Sequence, residues 1–265
     1  MTKRALPALL LLPLLASCAA GDAAEGGDTP PPADAGEVHW TYDGEAGQDA
    51  WGDLSADFAT CSTGHAQSPI DLPAQPSETT GEHPRITAEP TEAEAVDTGH
   101  TVQLVPEDDG SSVEWEGTEY DLAQVHFHAP SEHTVDGEAM AAEFHLVHTT
   151  DDGGTLVVGV LAQEGPDENA AWQPFVEGAA APGTEDLVLD VEAMLPADPT
   201  FETYTGSLTT PPCTEGVQWI VYTTPVELSA GQLAVLEEAS RGHNARHTQP
   251  EGDRHPAEGT VILAD

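Results

Sequence analysis

Lysine is almost missing from this chain. Its 265 residues include six lysines and arginines against 48 aspartates and glutamates, a formal net charge of −42. Lys3 is the only lysine, and beyond Arg4 the only arginines are Arg85, Arg241, Arg246 and Arg254. A surplus of this sign repels phosphates, so nucleic acid and anionic membrane surfaces are excluded as expected partners. The acidic residues are scattered rather than gathered into one tail, which reads as a solvated surface. Long apolar runs are also scarce. ALPALLLLPLLA, residues 5–16, follows the basic start MTKR and is too short to span a bilayer comfortably. Leu15, Ala16 and Ser17 then lead into Cys18 as in a bacterial lipobox, where the cysteine becomes the lipidated first residue. An ordinary secretory leader that happens to hold a cysteine is the alternative. The lipobox reading makes residues 1–17 a signal peptide, and either reading predicts export, to the periplasm or the cell surface. Membrane contact is then expected only through a lipid on Cys18. Cysteine is sparse, at three. With Cys18 set aside, Cys61 and Cys213 remain as a pair in an oxidising compartment, where a disulfide is the natural inference and two buried thiols the alternative.

Residues 18–37 are dominated by Gly, Ala, Asp, Glu and Pro and include TPPPADAGE; nothing there can pack, which predicts a flexible tether. No internal repeat and no second linker follow, so one domain is expected over 38–265. Its middle reads as strands. HTVQLV (100–105), YDLAQVHFH (120–128) and AAEFHLVH (141–148) alternate, TLVVGVLA (155–162) is a buried apolar run, and EGVQWIVYTT (215–224) ends at Pro225. Helical patterns are fewer. SAGQLAVLEEASRG (229–242) opens with Ser229 and Gln232 in capping-box spacing and closes at Gly242, and 167–178 holds a short helix. The fold class is mostly β, an α+β domain with peripheral short helices.

Residues of equal parity share a face of a strand. Gln124, His126 and His128 therefore point one way, and Val125 and Phe127 the other. Glu143, His145 and Val147 share a face against Phe144 and Leu146. If these strands are antiparallel neighbours, three imidazoles converge, leaving one open position as in a catalytic zinc site, with Glu143 behind them as a supporting carboxylate. An H-x-H on a strand is alone more often a surface or hydrogen-bonded core pair. The carboxylate on the same face as His145 is what such a pair does not explain. His148 has the opposite parity, and solvent exposure is the expectation for His39, His65, His83, His243, His247 and His255.

Three segments together, QVHFHAPSEHTVDG, AAEFHLVH and GSLTTPPCTEGVQWIVYTTP, resemble an α-class carbonic anhydrase of the secreted bacterial kind. HWTY, AQSPIDL (66–72), GHTVQL (99–104) and NAR (244–246) support the resemblance, which runs from about residue 38 to the end. It implies a single domain around a large, mainly antiparallel twisted sheet, and reversible hydration of carbon dioxide to bicarbonate and a proton by zinc-bound hydroxide. His126, His128 and His145 resemble the zinc ligands. Thr209 resembles the threonine that accepts from the hydroxide and donates to a carboxylate, here Glu132. His100 falls at a proton-shuttling position. Thr210, Val147, Val217, Leu208 and Trp219 resemble the residues around the substrate. Gln124, Glu143 and His133 resemble partners that support the ligands, and Tyr42 and Gln103 resemble holders of ordered water. The Cys61–Cys213 bridge is common in exported bacterial members.

Two other functions compete: a silent binding module of the same fold, and a surface zinc-binding protein. The oligomeric state is left open, a dimer included. Acidity on this scale also suggests adaptation to high salt.

Overall fold

The structure, a computed structural model, describes residues 38–264 apart from Ser77 and Asp109. The leader, Cys18 and the tether lie outside the described residues.

The alternating segments form strands close to where their patterns place them. They are Val102–Pro106, Thr118–His128, Ala142–Thr149 and Thr155–Gly165. Glu215–Ser229 differs from expectation, since it does not stop at Pro225. Its partner is the parallel strand Thr155–Gly165, and the register jumps from Val160↔Tyr222 to Ala162↔Val226. Thr223, Thr224 and Pro225 thus bulge out of the ladder, so the missing proline N–H costs no pairing and the strand resumes beyond.

Among the described residues these strands belong to one sheet of 13. Along its centre run Val102–Pro106, Thr118–His128, Ala142–Thr149, Thr155–Gly165, Glu215–Ser229 and Thr200–Ser207 in that order. Antiparallel pairs dominate; the Thr155–Gly165 and Glu215–Ser229 pairing is a long-range parallel exception. One sheet face carries Val125, Phe127, Phe144, Leu146, Val158, Val160 and Ile220, buried beneath Trp172, Phe175 and Leu236. Phe175 belongs to helix Gln173–Ala180, which starts later than the 167–178 pattern indicates, and Leu236 to helix Ala230–Ala239. The second helix carries the expected capping box between Ser229 and Gln232, and ends before Gly242 at Ser240. The opposite face holds a second apolar cluster, including Ile70, Leu72, Val157, Leu161, Tyr204, Val217, Trp219 and Val221. Strand alternation directs the predicted histidines to this second face. Among the described residues no helix is long and apolar enough to cross a membrane.

Candidate active site

The pairing of Thr118–His128 with Ala142–Thr149 sets His145 directly opposite His126, and Glu143 opposite His128. On the other side Gln103 is the partner of His126. His126 Nε2 lies 3.1 Å from His128 Nε2 and 3.2 Å from His145 Nδ1. Each ring turns its other nitrogen to an oxygen acceptor. His126 Nδ1 is 2.9 Å from Gln124 Oε1, His128 Nδ1 2.6 Å from the Asn244 carbonyl, and His145 Nε2 3.0 Å from Glu143 Oε1. An acceptor there fixes the proton on the outward nitrogen, so in the neutral ring the inward nitrogen is a bare lone pair. Burial keeps the rings neutral. It lowers His128 to about 4 and holds His126 and His145 below the usual imidazole range, the neighbouring imidazole His128 adding to the effect on both.

Three lone pairs at such separations repel one another unless a cation lies between them. Tetrahedral zinc with Zn–N near 2.0–2.1 Å separates its nitrogen ligands by about 3.3–3.4 Å, close to the spacing here. The donor set therefore fits a divalent zinc-like ion. His148, of opposite parity, is buried with Nδ1 2.9 Å from the Leu146 carbonyl and stays apart from this group.

Glu143 ties the site to the structure behind it. Its Oε1 faces His145 Nε2 and, at 2.7 Å, His133 Nδ1, while Oε2 accepts from the Glu132 and His133 backbone N–H groups. Burial opposes ionisation of this carboxyl, but its electrostatic interactions and hydrogen bonds with His133 and His145 outweigh it and hold the pKa well below normal. His133 Nε2 continues to the Tyr204 hydroxyl at 2.7 Å, and that oxygen to Ser68 Oγ at 2.9 Å. Tyr204 and Ser68 are not among the predicted site residues; they lie in the GSLTT and AQSPIDL neighbourhoods, but no spacing rule joins them.

Glu132 is buried, and its Oε1 accepts from the Arg246 N–H at 2.8 Å. The Thr209 hydroxyl interacts with this carboxyl as well, although Oε2 has no hydrogen-bond partner of standard geometry. Burial pushes Glu132 up to about 7, against the lowering effects of His145, Thr209 and the Arg246 N–H. A dication in the histidine group would drive it toward the acceptor-only anion. Arg246 and Asn244 are invisible to side-chain motifs because they act here through backbone N–H and C=O, which every residue offers. NAR is the one hint.

Val147, Val217, Leu208 and Trp219 fall in one apolar cluster beside the histidines, with Val147 and Leu208 only half-buried. The Trp219 ring meets His145 edge-on at 4.9 Å between centroids. Thr210 is half-buried, and its carbonyl accepts from Cys213 N at 2.8 Å. Cys213 is bridged to Cys61. Tyr42 is buried close enough to feel Glu132; burial first, and that carboxylate second, raise its pKa well above 10. His100 is half-buried and stacked on Trp40, with ring centroids 3.6 Å apart. His39, His65, His83, His247 and His255 are exposed as expected. His243 is not: it is half-buried beside the Tyr42 ring, and its Nδ1 is enclosed without a partner. The turn after helix Ala230–Ala239 folds it inward, which local polarity does not foretell.

A family model of eukaryotic-type carbonic anhydrases matches residues 46–255. A carbonic anhydrase of Nostoc sp. is 38% identical over 231 residues, covering 84% of this chain and 87% of that protein. One from Neisseria gonorrhoeae is 33% identical over 254 residues, covering 93% and 95%. Among solved structures, the α-carbonic anhydrase of Thermovibrio ammonificans with sulfanilamide has a TM-score of 0.76 and 36% identity, covering 84% of this chain and 100% of that one.

Proposed function

The chain belongs to the α-class, or eukaryotic-type, carbonic anhydrase family, and from that premise we propose that it hydrates carbon dioxide reversibly to bicarbonate and a proton with zinc held by His126, His128 and His145. The observation that carries this reading is the meeting of three ring nitrogens whose outward partners leave only lone pairs pointing inward. Neutral imidazoles leave zinc its full charge, which lowers the pKa of a bound water to about 7, a value for which carbonic anhydrase is itself the standard example.

The remaining residues act around that centre. Ionised Glu132 can only accept, so Thr209 donates to it and keeps its oxygen free to accept from the nucleophile. That selects a protonated nucleophile and aims its lone pair at the substrate carbon. Carbon dioxide is uncharged, which suits a resting place against Val147, Val217, Leu208 and Trp219, with Thr210 on the substrate side. Tyr42 and Gln103 hold ordered water, and His100 relays the product proton outward, a task matched to an imidazole's titration near neutrality. Gln124, Glu143 and His133 orient the ligands. A silent module of the same fold would be marked by a lost zinc histidine, and all three are present.

Metal analysis with a carbon dioxide hydration assay tests the core of the proposal. The wild type should hold one zinc per chain, and His128→Ala should lose both metal and hydration. Full activity in that variant would remove the assignment. Export and lipidation at Cys18 rest on the leader sequence; incorporation of labelled fatty acid, abolished in Cys18→Ser, is the expected result.

A further inference from the structure

Among the described residues one ion pair joins an arginine to a carboxylate, Arg241 Nη2 to Asp97 Oδ2 at 2.5 Å. In so acidic a chain an arginine has many possible partners, and this one holds the turn that carries His100. Within the turn, Gly99 N donates to Asp97 Oδ1 at 2.8 Å, and Thr98 Oγ1 donates to the Thr101 carbonyl at 2.8 Å. Gly99 has φ +88°, a conformation open to glycine. Arg241 grips the turn a second time, through Nη1 to the Gly99 carbonyl at 2.8 Å. Three residues later, Asn244 Nδ2 donates to the His100 carbonyl at 3.3 Å and to the Phe127 carbonyl at 3.1 Å. The Asn244 carbonyl accepts from His128 Nδ1. One short segment, 241–244, therefore holds the His100 turn at one end and a metal-site histidine at the other.

We propose that Arg241 is a positioning residue for proton transfer: its two-point grip on Asp97 and Gly99 fixes the His100 turn to the segment that holds His128. The inference rests on His100 being the proton relay. The competing explanation is a surface pair that merely closes the end of helix Ala230–Ala239. A closing role moves stability alone. A positioning role moves turnover where proton export limits it and leaves the encounter with carbon dioxide intact, because the relay acts after that step.

The test is kinetic, on the zinc-loaded enzyme with zinc content checked. Arg241→Ala should lower kcat in weak buffer about two- to fivefold, the range open to an exposed ion pair. It should leave kcat/KM within error, and added imidazole should restore kcat. Arg241→Lys, which cannot reproduce the two-point fork, should fall between. Asp97→Asn removes the same pair from the other side and should match Arg241→Ala, so poor folding of one variant does not protect the idea. In a His100→Ala background, Arg241→Ala should cause no further loss. Equal losses in kcat and kcat/KM, an undiminished loss in the His100→Ala background, or an unchanged weak-buffer kcat would overturn the proposal. If His100→Ala itself leaves weak-buffer kcat intact, the relay fails and the positioning role fails with it, while the zinc assignment stands.

Discussion

Glu202 is the residue whose surroundings conflict most with its charge. It is 1% exposed, and neither carboxylate oxygen has a hydrogen-bond partner. Glu258 stands directly opposite on the neighbouring strand. Burial first, then the charges of Glu258, Asp136 and Glu251, push its pKa from 4.5 up to about 8. Below 4.5 the folded and unfolded chains both carry the proton, and Glu202 adds no pH dependence. Between 4.5 and 8 the unfolded chain releases a proton that the folded chain keeps, so stability falls as pH rises, and above 8 the loss is complete. Glu202→Gln should therefore match the wild type in urea unfolding near pH 4.5 and exceed it by a margin that widens toward pH 8, by at most about 1.4 kcal/mol for each pH unit. An offset that does not change with pH would refute this. Such a residue is unreadable in the sequence, where it is one acid among 48. His126 and His128 are readable as a same-face pair because two-residue periodicity within one strand places them, whereas His145 joins them only through the antiparallel pairing of its own strand with theirs. Asn244 and Arg246 are not readable, since a backbone atom at the end of a long-range contact leaves no trace in side-chain chemistry.

Strands and capped helices are legible as elements, while their order in the sheet is not. Ser229 and Gln232 announce a helix start because a capping box is a local contact. Pro225 points to a strand end, since a proline normally breaks a ladder, yet the parallel partner absorbs it as a bulge. That partner lies far away in sequence, where local patterns carry no information. The segment after Thr209 is the exception, a long-range tie that the cysteine count does foretell. Its last fixed point is the Cys61–Cys213 bridge, spanning 152 residues of sequence. Besides the bridge, Cys213 N bonds the Thr210 carbonyl, so the tie ends close to the threonines of the site. Closing a loop of this length constrains the unfolded chain by about 5 kcal/mol in the chain-entropy model, an upper bound. Reduction, or Cys61→Ser with Cys213→Ser, should lower the melting temperature by roughly 5–15 °C. Hydration should fall at temperatures where zinc is still bound, because the threonine segment loosens before the histidine strands separate. Two free thiols in the unreduced native protein, or loss of zinc in step with activity, would show that the bridge does not act this way.

At the scale of the whole molecule the excess of acid decides how the protein responds to salt. Forty-two net negative charges repel one another on one chain, and the described residues contain a single arginine–carboxylate pair to set against them. The Debye length is about 10 Å at 0.1 M ionic strength and about 3 Å at 1 M, so neighbouring carboxylates feel each other strongly only in dilute salt. Screening acts on the attraction as well. It weakens the Arg241–Asp97 pair, but an exposed pair is worth at most about 1 kcal/mol, whereas the repulsion is summed over dozens of carboxylates. The balance therefore favours stabilisation by salt, and we expect the melting temperature to climb by many degrees between about 0.05 and 2 M sodium chloride. Most of the rise should be complete once screening saturates near 1 M. Sucrose at matched osmotic strength separates screening from general exclusion effects and should reproduce little of it. Activity is the wrong readout, because chloride competes for a metal site independently of any change in the fold. If acidity serves solubility alone, the melting curve will be flat. A flat or falling curve in chloride, or an equal rise in sucrose, would end the case for adaptation to high salt.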